Sequence, residues 1–337
     1  MFTRRTLVVS KLKIILSFSI TAVALVVLFL FAVNTGSLKV TPIELFKGLF
    51  ISYNENVATI FDLRFPRIFI AILGGAATAV SGVLLQAVMK NPLADPGIIG
   101  ISSGASLTAV LITGFVPALY YFTPLFAFLG GMLAFILVYS LSWKGGLSPV
   151  RIILVGVAIE AMLSGIMSAF NSGTGSNYSG VASIVNANIS MKTWDDFYTL
   201  LWYVLAGLIA SFFVAGACNL LALEDKTARS LGVNVTSSRI IISIIGVLLA
   251  SISTAIIGPI SFLGLIVPHI ARLLVGSNHK LLIPYSILLG AFTLLLADTL
   301  GRTIAAPYEI SASIIMAVIG GPFFIILLRR SRQKYAG

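Results

Sequence analysis

Charge is scarce in this chain. Of 337 residues, 10% are Asp, Glu, Lys or Arg and 58% are apolar, whereas a soluble domain carries about 25% charged residues. With a mean hydropathy of +1.06, only a lipid solvent accommodates this much apolar surface. One cysteine, Cys218, excludes an internal disulfide and a multi-cysteine metal site, and its apolar neighbours make it a packing residue. There are two histidines, His269 and His279. No carboxylate stands beside His269, so a structural or loop role is expected for it rather than proton carriage or metal ligation. No Gly-x-x-x-x-Gly-Lys-Ser/Thr occurs, which excludes a P-loop, and His-Glu-x-x-His is also missing. The chain is read as one that catalyses no covalent step and binds no cofactor or metal of its own. Its energy then comes from a partner or an ion gradient. The net charge of +11 is scattered between apolar runs, so nucleic acid is not expected as a partner.

Apolar runs fall at 14–33, 67–89, 97–116, 119–142, 150–170, 197–221, 240–257, 259–275, 281–300 and 311–328. They predict an all-α, polytopic membrane protein of about ten transmembrane helices, with 1–337 as one domain. The uncharged stretch 14–36 follows Arg4, Arg5, Lys11 and Lys13. It exceeds the roughly 7–15 residues of a signal core, so it is read as a retained first helix. An even number of spans puts both termini on one side. With that side cytoplasmic, only Lys39, Lys47, Arg64, Arg67, Lys192 and Arg302 of the 22 cations lie outside. The other sixteen lie inside, and this bias selects the orientation.

The external loops are then 34–66 and 171–196. Thr41-Pro42-Ile43-Glu44 predicts the start of a short surface helix over 42–51. The Ser-, Asn- and Gly-rich loop 171–196 is expected to cap the outer mouth. The inner loop 222–239 reads as two short helices. Leu223–Leu231 would form the first, Gly232 would stop it, and Thr236 or Ser237 would cap the second.

The most patterned stretch is 62–104. Leu63-Arg64-Phe65-Pro66-Arg67 opens a run whose Gly74, Thr78 and Gly82 share one face. Gln86, Lys90 and Asn91-Pro92-Leu93-Ala94-Asp95-Pro96 close it with a turn. A second block, Gly258 to Arg272, carries Gly258-Pro259 and Pro268, at both of which a helix is expected to break. These blocks resemble the permease family of ABC importers for iron–siderophore complexes, haem and cobalamin, and the likeness covers nearly the whole chain.

The resemblance implies the type II ABC importer permease architecture and a bacterial cytoplasmic membrane. It implies a second permease subunit, identical or related, two ATPase subunits that hold ATP and Mg, and an extracytoplasmic substrate-binding protein. Iron(III)–siderophore is the favoured cargo on family frequency, with haem and cobalamin open. Arg64 and Arg67 match the first motif, and Arg302 matches the arginine after Leu-Ala-Asp. Their implied role is binding-protein docking. Asp225, Ala228, Arg229, Leu231 and Gly232 fall in the loop that couples to the ATPase. The family's Leu-Gly-acid reads Leu223-Glu224-Asp225 here, which departs at the glycine. Leu147 and Ser148, in the turn Lys144–Pro149, match the cytoplasmic gate by position.

Bland readings stand beside these. The arginines could snorkel to the interface, and Asp298 could pair with Arg302 four residues on. Glu160 lies mid-span on one face with Gly156 and Ser164. It either faces the pathway and meets a polar or cationic part of the cargo, or hydrogen-bonds within the protein. A reading of another class is a proton-driven secondary transporter with Glu160 and Asp298 as carriers. Finally, Pro66-Arg67 stands seven residues before Gly74, and Ser238-Arg239 stands seven before Gly246. This is a short echo of an inverted repeat.

Overall fold

The structure is a computed structural model that describes residues 10–36, 38–142, 149–173, 181, 184–190 and 192–335. The expected gate residues Leu147 and Ser148 lie outside the described residues, as does most of 174–183. Thirteen α-helices are described: α1 (Lys11–Val33), α2 (Pro42–Phe50), α3 (Glu55–Leu63), α4 (Phe65–Met89), α5 (Ile101–Phe115), α6 (Thr123–Ser142), α7 (Pro149–Gly173), α8 (Trp194–Leu221), α9 (Asp225–Ser230), α10 (Val235–Ile257), α11 (Leu263–Val275), α12 (His279–Ile304) and α13 (Ala312–Tyr335). Among the described residues there is no strand. Among the described residues, seven helices are long and apolar enough to cross a membrane. Shorter apolar helices at Ile101–Phe115, Leu263–Val275 and Ala312–Leu327 occupy the third, eighth and tenth expected runs.

The loop after α1 holds two helices. Thr41 caps α2 through a reciprocal capping box with Glu44, as its motif predicts. The second, α3, was not foreseen; Asn54 accepts from the N–H groups of Asn56 and Val57 to start it.

Helix α4 is the centre. It packs against α12, α10, α8 and α11, and all but four of its 25 residues are buried. Lipid supplies little hydrophobic drive between helices, so close backbone approach and interhelical hydrogen bonds hold such an element. Gly82 shows the constraint: a Cβ there would stand 1.9 Å from the Gly264 carbonyl oxygen.

Helices α4 and α10 meet through a reciprocal pair of bonds. Ser253 Oγ donates to the Gly74 carbonyl at 3.1 Å, and Ser81 Oγ donates to the Gly246 carbonyl at 2.6 Å. The offset that carries Gly74 onto Gly246 also carries Ser81 onto Ser253. The two antiparallel helices therefore present the same pair of groups to each other, which is the geometry an inverted repeat requires.

The two expected helix breaks part company. Helix α10 ends at Gly258, with φ +79°, and α11 begins after Phe262. Pro268, however, sits inside α11 without interrupting it. A proline there lacks the N–H for the carbonyl four residues back, which is that of Gly264. Gln86 Nε2 donates to that carbonyl instead, at 3.2 Å. Gln86 also donates to Ala94 and accepts from Arg272 at 2.5 Å, so one side chain closes the turn after α4 and supports the proline. Cys218 is buried in the main core.

Replacing Gly82 by Leu is expected to abolish the monodisperse chain in detergent size exclusion. Overpacking of this kind costs about 1–3 kcal/mol or more. Gly216→Ala, where the added carbon meets nothing within 4 Å, is expected to leave the elution profile unchanged.

Candidate functional site

The charged groups gather at the two ends of α4. At its start, Arg67 gives Nε and Nη2 to Asp298, the closest contact being 2.8 Å, and Nη1 to Glu309 at 2.9 Å. Arg302 Nε lies 3.2 Å from Asp298 Oδ2, an ion pair without hydrogen-bond alignment, and Arg302 Nη2 has no hydrogen-bond partner. Arg64 turns into the loop after α1 and donates to the carbonyls of Val33 and Leu38 at 2.6 and 2.8 Å. Asp298 is 1% exposed, Arg67 7% and Arg302 8%. The three arginines expected at the outer surface thus stand together, but Arg67 and Arg302 are buried rather than projecting. The i,i+4 pair between Asp298 and Arg302 is present.

Glu309, which the sequence reading missed, organises the cluster's outer edge. It pairs with Arg67 and accepts from Ser190 Oγ at 2.8 Å. It thereby ties the described part of loop 171–196 to the start of α4. Burial opposes its charge, but Arg67, the Ser190 hydroxyl and Arg302 outweigh that and hold its carboxyl below the usual range. Such a group's contribution is present at neutral pH and is lost only as the pH falls through the lowered value. Glu309 lines two clefts. One of about 470 Å³ also takes in Arg67, Asp298, Asn188 and Ser311. The other, of about 610 Å³, takes in Arg302, Lys39 and Asn34. A signal was available, since Glu309 is the one acid C-terminal to Asp298.

At the other end, α4 closes on Lys90 in the left-handed region, φ 50°, where glycine is usual. Its Nζ is held by the Leu223 carbonyl at 2.5 Å and by Asp225 at 2.8 Å, and Asp225 also accepts from Arg239 at 3.0 Å. The Lys90 hydrogen bond, against a weaker effect of burial and with Arg239 adding to it, holds the Asp225 carboxyl below its usual range. Ala228 is buried, while Arg229, Leu231 and Gly232 are exposed. Gly232 has φ +81°, as a helix stop requires. The second half of the loop differs from expectation. Asn234, not Thr236 or Ser237, caps the next helix by accepting from Ser237 N–H, and that helix is the start of α10. Asn234 wins because its carbonyl group reaches the third N–H of the long helix. Asp225 of α9 is thus tied to α4 through Lys90 and to α10 through Arg239.

Between the ends, Glu160 of α7 is half-buried and accepts from Ser164 Oγ at 3.3 Å. It lines a cavity of about 190 Å³ with Ser102, Ser103 and Ser261. Gly156, its neighbour on the helix face, packs against the carbonyl of Ile98 instead. In the turn after α4, burial pushes the Asp95 carboxyl up to about 6, against the N–H groups of Ile98, Gly97 and Gly264. His269 stands edge-on to Phe323.

A family model describing the FecCD transport family matches residues 24–330. The chain belongs to that family. It is 42% identical over 300 residues to the "Probable heme-iron transport system permease protein IsdF" of Staphylococcus aureus strain Newman, covering 89% of this chain and 91% of that one. The same protein from strain MSSA476 is 41% identical over an equal length. Among solved structures, an inward-facing transporter assigned to the metal-chelate ABC type superposes with a TM-score of 0.76 at 28% identity, covering 94% of this chain and 99% of that one. The PsaBC structure from Streptococcus pneumoniae, in complex with Fab, has a TM-score of 0.58 at 17% identity over 85% of this chain and 95% of that one, a likeness of fold alone. The chain is thus a multi-pass membrane protein of a transport permease family, with a type II ABC importer fold.

Asp298→Asn is expected to lower the thermal midpoint sharply, because leaving a buried cation without its partner costs about 3–5 kcal/mol. Glu309→Gln, at a carboxylate 42% exposed, is expected to cost about 1 kcal/mol or less. Thermal unfolding of the purified variants in detergent gives the comparison.

Proposed function

We propose that this chain is the membrane-spanning subunit of an ATP-driven importer of an iron chelate, with heme iron the favoured cargo. The likeness to the staphylococcal heme-iron permease over most of the chain carries this reading. It also moves the preference from siderophore to heme, since no residue in the sequence chose between them. The chain works beside a second permease subunit and two ATPase subunits that hold ATP and Mg. It receives cargo from an extracytoplasmic binding protein, in a bacterial cytoplasmic membrane with both termini inside.

In this reading ATP closure presses on α9, and Asp225 passes the thrust to Lys90 at the end of α4 and to Arg239 on α10. Ala228 seats α9, while Arg229, Leu231 and Gly232 offer the exposed contact. At the outer end, Arg64, Arg67 and Arg302 receive carboxylates of the binding protein. Glu309 holds Arg67 until then, and exchange of Glu309 for a partner carboxylate releases the loop carrying Ser190. Arg suits such exchange because its planar fork takes carboxylates bidentately. Glu160, with the serines around its cavity, faces the cargo's path. The gate role of Leu147 and Ser148 rests on position alone.

The proton-driven alternative needs a carboxylate that exchanges its proton with water. Arg67 and Arg302 occupy the oxygens of Asp298, which disfavours it as a carrier.

Deletion of the gene is expected to abolish growth on heme as sole iron source while growth on ferric siderophore persists; the reverse pattern would change the cargo. Glu309→Gln is expected to tighten capture of the binding protein several-fold in a pull-down, and Arg67→Glu to weaken it while the ATPase still co-purifies. Unchanged capture by both variants would remove the exchange role.

A further inference from the structure

Where α4 ends, a groove of about 890 Å³ opens between α6 and α10. Its apolar wall includes Val88, Phe135, Ile136, Ile240 and Ile244, and Asp225, Arg229, Thr236 and Arg239 also line it. The polar group belongs to α9 and the first turns of α10, so it sits at the loop end. From Ser140 back to Phe128, the groove follows α6 for about 18 Å at the rise of an α-helix.

The charge at the loop end is unbalanced. Lys90, Lys226, Arg229 and Arg239 stand there against Glu224 and Asp225. Asp225 is already taken by Lys90 and Arg239. Arg239 gives only Nη2 to Asp225, its Nε being buried without a hydrogen-bond partner, and Arg229 is exposed. Two positive charges therefore remain for an anion. The apolar residues flanking the groove, Leu129, Leu133 and Ile241, are each at least half exposed, as expected of a wall facing hydrocarbon. An occupant of the apolar part therefore enters from the bilayer, and one that also meets the arginines carries a negative headgroup.

We propose that this groove binds one anionic phospholipid, an acyl chain along α6 and α10 and its phosphate on Arg239 and Arg229. Basic pockets between transmembrane helices are suited to anionic headgroups. The phosphate competes with Asp225 for Arg239, so the bound lipid bears on the joint between α9 and α10. The site is independent of the cargo, but it shares Arg229, and the Asp225–Arg239 pair, with the proposed ATPase contact.

Native mass spectrometry of the full chain in detergent tests it, with phosphatidylglycerol and phosphatidylcholine offered at equal concentration. The parent is expected to retain phosphatidylglycerol about fivefold better, the gain of roughly one cation–phosphate contact at a membrane surface. Arg229→Gln with Arg239→Gln is expected to bring retention down to the phosphatidylcholine level. Ile244→Trp, which fills the groove without changing charge, is expected to remove the preference too, and it decides the matter alone if the double variant does not fold. Equal retention of both lipids by the parent overturns the proposal, as does an unchanged preference in Ile244→Trp. Displacement of the lipid by an added ATPase subunit also overturns it, by making the groove a protein contact.

Discussion

The close approach of α4 to its neighbours is the constraint on which the rest depends. In lipid, an apolar side chain gains little by leaving its surroundings for another helix, so contact distance and hydrogen bonding decide which helices associate. Helix α4 meets that condition with small residues from Gly74 to Gly82 and with hydroxyl bonds to α10: Ser81 donates to the Gly246 carbonyl, Ser253 donates to the Gly74 carbonyl, and Thr78 meets Ser253. The same approach that buries Gly82 against Gly264 brings Gln86 to the carbonyl that Pro268 leaves open. Packing and backbone satisfaction are thus one arrangement rather than two.

That central helix also links the molecule's two charged ends. Arg67 stands in its first turn and Lys90 at its close, about 35 Å apart at 1.5 Å per residue. Each is tied to a connecting segment: Arg67 through Glu309 to the Ser190 loop, Lys90 through Asp225 to α9. A stiff, buried element with a charged clasp at each end suits the conveyance of motion across a membrane. It explains why ionic groups so costly in hydrocarbon are kept at its termini.

Much of this was legible beforehand. The spans show in apolar length, the α2 start in Thr41 and Glu44, and the helix stop in Gly232, because each depends on neighbours within a few residues. The misses share a cause. Glu309 and Lys90 act on partners far away in sequence. Pro268 reads as a break because its compensating donor, Gln86, lies on another helix. Asn234 displaced Thr236 and Ser237 as a cap because α10 begins earlier than the apolar run that marks it.

The sequence by itself determined that the chain lives in a membrane, that it is built of apolar helices, and which family it belongs to, since composition, run length and contiguous motifs are local quantities. Only the tertiary structure decided that Arg67 and Arg302 turn inward, that Asp298 and Glu309 hold Arg67, and that the loop at 222–239 is bolted to α4. Side-chain direction and ion pairing follow from which helices touch, and that contact depends on groups hundreds of residues apart meeting within hydrogen-bond distance.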